Sequence, residues 1–128
     1  MLLKTFIHRW TEFLSVTKHK IVLIPFPFDD LTQSKVRPAV CLTEPLGSYR
    51  HVLVAFITSR VPPTLLASDL LIASNREDFA LTGLRTTSAL RLHRMMTLTT
   101  AIIERELGYL PESLELEVKS RLRGLFGL

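Results

Sequence analysis

Short runs of β-branched and aliphatic residues, cut by proline-containing or polar turns, constrain this chain more than any other feature. Residues 20–28 (KIVLIPFPF) show almost no polar alternation, which predicts a mostly buried strand; Pro25 and Pro27 confine its far end to a sheet edge or an irregular exit. The polar residues 29–36 predict a loop, and Arg37-Pro38 then opens a second strand, because the residue before a proline is driven into extended geometry. Residues 45–50 have turn composition, and His51–Thr58 reads as a third strand. Pro62-Pro63 and a short fourth strand over residues 69–73 follow. Residues 84–92 read as a strand with Arg85, Thr87, Ala89 and Arg91 on one face, continuing through His93 toward Leu98.

Helical spacing is confined to the two ends. Leu3, Phe6, Ile7, Trp10, Phe13 and Leu14 recur at three- and four-residue intervals, so residues 1–17 predict an amphipathic helix. Pro111 is allowed at a helix start, and Leu114, Val118, Leu122, Leu125 and Phe126 then recur at helical spacing. Residues 99–105 predict one helical turn at most. Many short strands with little helix define a mainly β (α+β) chain, built as a small barrel or sandwich.

Composition narrows the class. With 128 residues, 47% of them hydrophobic and 22% charged, the chain is one domain, too apolar for intrinsic disorder, with apolar surface to spare for a subunit interface. The single cysteine, Cys41, excludes an internal disulfide and a CxxC metal or redox pair; its apolar strand makes it a buried small hydrophobe and a reducing cytoplasm the expected compartment. No apolar run approaches the ~20 residues of a membrane span, since Lys18, His19, Lys20 and Asp29-Asp30 bracket the longest candidate. His8, Arg9 and Glu12 interrupt any signal-peptide core. Residues 1–100 hold 12 Lys and Arg against 7 Asp and Glu, whereas the last 28 hold 4 against 5, so the positive excess precedes the tail and favours an acidic partner such as nucleic acid.

Residues 20–40 (KIVLIPFPFDDLTQSKVRPAV) resemble the opening of the MazF/PemK family of toxin ribonucleases: a hydrophobic strand, a polar loop with Gln and Ser, then Arg-Pro leading the next strand. AFITSR (residues 55–60) resembles the family strand that ends in Ile-Thr-Ser. TGLRTTSALRLHRMMTL (residues 82–98) resembles its Gly-Leu, Ser and Arg-containing segment, and LGYL with a terminal helix closes the match. The resemblance spans residues 18–128, which sets residues 1–17 apart as an extension. Lys18-His19-Lys20 stand where relatives commonly open with Gly-Asp, and His93 stands where they often carry an acidic residue.

The resemblance implies an SH3-like barrel (CcdB/MazF-like) with a C-terminal helix, a homodimer in the cytoplasm, and a cognate antitoxin as protein partner. Operator DNA would be met only by the toxin–antitoxin complex, and no membrane is involved. It further implies a cofactor-free and metal-free endoribonuclease acting on single-stranded RNA, with the 2′-hydroxyl as nucleophile and a 2′,3′-cyclic phosphate and 5′-hydroxyl as products.

Such a reaction needs proton transfer at two oxygens and positive donors for the charge growing on phosphorus. Arg37 offers a permanently charged fork of donors, and the resemblance makes it and Thr58 catalytic. Arg91 and His93, two apart in a strand, are expected to share a face, the arginine holding phosphate and the histidine exchanging protons. His19, Lys20, Lys35, Ser59, Arg60 and Arg94 are candidate RNA contacts. Phe26 and Phe28 read as core, and Gly83 and Gly108 as turn or bulge positions. Two other readings compete: a gyrase poison similar to CcdB acting through Phe126-Gly127-Leu128, and an inactive nucleic-acid-binding barrel. The ribonuclease reading requires its arginines to share one concavity.

Overall fold

The computed structural model describes residues 17–25 and 35–128. The helix expected over residues 1–17 lies outside them except for Thr17, as do Phe26, Phe28 and nearly all of the 29–36 loop. Strands β1 (Lys20–Pro25), β2 (Val36–Cys41), β3 (His51–Thr58), β4 (Asp69–Ile72), β5 (Ser88–Thr99) and β6 (Arg105–Tyr109) form one antiparallel sheet in the order β4-β5-β3-β2-β1-β6. Helix α1 (Glu112–Phe126) follows.

The central strands are apolar on both faces, which is why residues 20–25 lack the alternation of a half-exposed strand. Ile21, Val40, Ala55, Ile57, Leu90 and Leu92 form one buried cluster, onto which α1 packs Leu114 and Val118. Val22, Ile24, Ala39, Cys41, Val54 and Phe56 form a second cluster from the alternate positions of the same strands. Leu122 packs against the first cluster, whereas Leu125 and Phe126, expected on the buried stripe, lie in the helix's last turn at 40% and 61% exposure.

The sheet curls enough for the turn beyond one edge strand to reach the other edge. The 3-10 turn Phe79–Thr82, which follows edge strand β4, lies against β6 at the opposite edge. Gly83 ends that turn in the left-handed region at φ 71°, and Gly108 sits where β6 slips register against β1, opposite Ile21. A Cβ on Gly83 would stand 2.1 Å from the Leu107 carbonyl oxygen, and one on Gly108 would stand 2.1 Å from that of Leu81. Backbone therefore touches backbone at this closure, and both glycines are the turn and bulge positions that the sequence suggested.

Two expectations need correction. The strand expected from residue 84 begins at Ser88: residues 84–87 leave the ladder, with the Thr87 hydroxyl accepting from the Ser74 amide at 2.9 Å. Strand β6 has no sequence signature, since RELGY is too polar to show strand periodicity; it forms by pairing with β1 at the sheet edge.

Cys41 is fully buried, and burial pushes its thiol up to about 11 against an opposing pull from Lys20. Its thiolate fraction near neutral pH should be about 100-fold below that of an ordinary cysteine, before access is considered. A disulfide reagent followed by absorbance should therefore label the unfolded chain within minutes and the native chain at least ~10²-fold more slowly. Comparable rates would show that the second cluster is open in solution.

Candidate functional site

Strand register decides which side chains can meet. In β2 the odd positions Arg37, Ala39 and Cys41 face the same way as Ile24 and Phe56, their cross-strand neighbours. In β3 that face is carried by Val54, Phe56 and Thr58, and in β5 by Ala89 and Arg91, which pair with Thr58 and Phe56. Arg37, Thr58 and Arg91 thus occupy one face, where the apolar positions give out toward the strand ends.

Around these ends lies a cleft of about 840 Å³. Arg37, Thr58 and Arg91 all line it, together with Lys35, Ser59, Arg60 and Arg94. Arg85 and Arg105 complete a lining with seven cationic side chains and no carboxylate among the described residues. A lining this rich in cations favours a polyanion, so the cleft's electrostatics point to phosphates.

Individual groups are held in defined ways. Thr58 Oγ1 accepts from the Arg60 amide at 3.0 Å, the local backbone bond typical of a strand-end threonine, and this leaves its hydroxyl proton to donate. Arg91 Nε donates to Asp69 Oδ1 at 2.9 Å, and Nη2 approaches Oδ2 at 3.4 Å. Burial would raise the Asp69 pKa, but its bonds from Arg91 and the Leu66 amide outweigh that and hold the carboxyl below the usual carboxylate range.

The expected pairing of Arg91 with His93 on one face does not form. Between β3 and β5 the register jumps: Phe56 pairs with Arg91 but Ala55 with Met95, so residues 92–94 bulge out of the ladder. Beyond the bulge Met96 and Leu98, opposite Val54 and Val52, carry the face that Arg91 carried before it. The parity of β5 has switched from odd to even, and Arg94 lines the cleft in place of His93. His93 is exposed outside the cleft, its Nδ1 2.8 Å from Ser68 Oγ.

His19 and Lys20 also stand outside the cleft, held by acidic groups from the chain's last third. Lys20 pairs with Glu106 across β1 and β6. His19 lies with Nδ1 3.3 Å from Glu115 Oε1, and burial lowers its pKa despite that carboxylate. Arg85 and Arg105 are the cleft residues that sequence reasoning missed as site residues. Arg85 was legible as a neighbour of the Gly-Leu motif; Arg105 carried no signal, because its strand was not seen. The terminal Phe126 and Leu128 are exposed and lie outside the cleft. Among the described residues no three His, Cys, Asp or Glu side chains cluster as a metal site requires, and no helix is long and apolar enough to cross a membrane.

A curled antiparallel sheet closed by one C-terminal helix, with a cationic cleft at the ends of β2, β3 and β5, defines a small β-domain suited to a polyanion. Residues 17–126 match the family model for the PemK-like, MazF-like toxin of type II toxin-antitoxin systems, and the chain belongs to that family. It is similar to the Mycobacterium tuberculosis toxin MazF-mt6, with 25% identity over 85% of this chain and 97% of that one at a TM-score of 0.63. MazF from Deinococcus radiodurans shares 18% identity over 89% and 99% of the two chains at 0.63. An endoribonuclease from a mycobacterial species, solved in complex with its cognate antitoxin, shares 11% over 89% and 97% at 0.64. No curated protein matches this chain in sequence.

Proposed function

We propose that this toxin is an endoribonuclease that cuts single-stranded RNA by attack of the 2′-hydroxyl on the adjacent phosphorus. The 2′-oxygen gives its proton to water and bonds to phosphorus as the bond to the 5′-oxygen breaks, and the leaving oxygen takes a proton from water, so the products are a 2′,3′-cyclic phosphate and a 5′-hydroxyl. The observation that carries the reading is the convergence of Arg37, Thr58 and Arg91 on one cleft that, among the described residues, no carboxylate lines. Arg37 and Arg91 stabilise charge on the non-bridging oxygens, and the Thr58 hydroxyl donates to one of them. Lys35, Arg60, Arg85, Arg94 and Arg105 hold flanking phosphates, and Ser59 adds a hydroxyl. The cleft needs no metal or cofactor for this role. The toxin acts in the cytoplasm as a homodimer, and an antitoxin protein restrains it; the neighbour solved with its cognate antitoxin supports that partner.

The test is purified protein on defined single-stranded RNA in EDTA. The expected result is cleavage to fragments ending in cyclic phosphate, with binding whose logarithm falls at a slope steeper than about −2 against log salt, as three or more phosphate contacts require. Intact RNA would overturn the reading and leave the CcdB-like poison or the inactive barrel; products that lack cyclic phosphate ends would overturn the 2′-hydroxyl route.

A further inference from the structure

Asp69 is a buried carboxylate for which the proposed reaction has no direct use. It is 1% exposed, stands directly across the ladder from Arg91, and accepts from Arg91 Nε, Arg91 Nη2 and the Leu66 amide. Burying a carboxylate is costly, and it persists where its hydrogen bonds are satisfied, as these are.

We infer that Asp69 is the positioning residue that fixes the Arg91 guanidinium in the cleft. A fork-on-fork pair sets the plane of the guanidinium as well as its place, so one edge is spent on Asp69 and Nη1 is left for a ligand. Arg91 is otherwise a flexible side chain, 24% exposed, at the point where β5 leaves the ladder. The Leu66 amide ties the same carboxylate to the turn preceding β4, and the neighbouring Ser68 carbonyl accepts from the Leu92 amide at 3.0 Å. The start of β4 thus braces the β5 bulge from which both Arg91 and Arg94 reach the cleft. Asp69 touches no substrate; it acts through Arg91, and the inference rests on reading the cleft as the RNA site.

The test uses the full chain and a double-mutant cycle. Asp69→Asn should lower kcat for RNA cleavage about 10- to 100-fold while KM moves less than about 3-fold, because the other cleft cations are untouched. In an Arg91→Ala background the same substitution should cost less than about 2-fold more. Losses that multiply, or an Asp69→Asn enzyme equal to wild type, would overturn the inference. A readout on the wild type covers the case in which Asp69→Asn does not fold. The Arg91 Nε–H resonance should be sharp and slow to exchange with water, and should shift when an uncleavable 2′-O-methyl oligoribonucleotide binds. A fast-exchanging Arg91 signal, or one indifferent to the oligonucleotide, would refute positioning. If the wild type cuts no RNA, the ribonuclease reading fails on its own, and this signal alone decides whether Asp69 fixes Arg91 toward a bound backbone.

Discussion

Replacing Arg37 by alanine is expected to slow RNA cleavage by about 10²- to 10³-fold, the range found when a donor to developing charge is removed from a preorganised site. The loss should fall on kcat. Six other cations among the described residues line the cleft, so ground-state binding of a long RNA loses one contact among several, whereas charge growing on the attacked phosphate loses one of its two forked donors. Arg37→Lys should recover only part of the rate, because an ammonium supplies the charge without the planar pair of donors. Stability should change by no more than about 1 kcal/mol, since Arg37 sits at the mouth of β2 beside the proline and outside both apolar clusters. Single-turnover cleavage with a parallel thermal melt separates the two effects. An alanine variant that cuts within about fivefold of wild type would remove Arg37 from the chemistry.

The parts of this molecule that were legible in its sequence are those governed by local rules. His51–Thr58 is legible to the residue because its apolar content is unbroken and a turn precedes it, and that boundary puts Thr58 at a strand end. Arg37 was legible because proline constrains the residue before it. What failed depended on partners far away in the chain. His19 and Lys20 read as spare cations, and only the fold brings Glu115 and Glu106 to them. His93 was placed beside Arg91 by a two-residue period that holds only while the ladder holds; the slip between Ala55 and Phe56 carries Arg94 to the cleft instead. Strand β6 has no period to detect, so Arg105 stayed hidden with it.

The same closure that hides β6 from sequence supplies the second large effect. Gly83→Ala should destabilise the protein by about 2–4 kcal/mol, from two separate costs. One is the left-handed backbone, φ 71°, worth about 1 kcal/mol to a residue with a Cβ. The other is overlap: the new methyl would meet the Leu107 carbonyl oxygen at 2.1 Å and its carbon at 2.5 Å, atoms of a backbone that cannot turn aside as a side chain can. Relief requires the turn to lift from β6, and because Gly83, Leu84, Arg105 and Leu107 all line the cleft, lifting it opens the cleft wall. Cleavage should therefore fall together with a melting temperature lowered by about 6 °C or more. Gly124→Ala is the matched control: it lies in helix α1 with nothing within 4 Å of the added methyl, and should hold or slightly raise stability through helix propensity. A Gly83→Ala protein that melts like the control would mean that the turn does not touch β6 in solution, and that the cleft is not walled by β6.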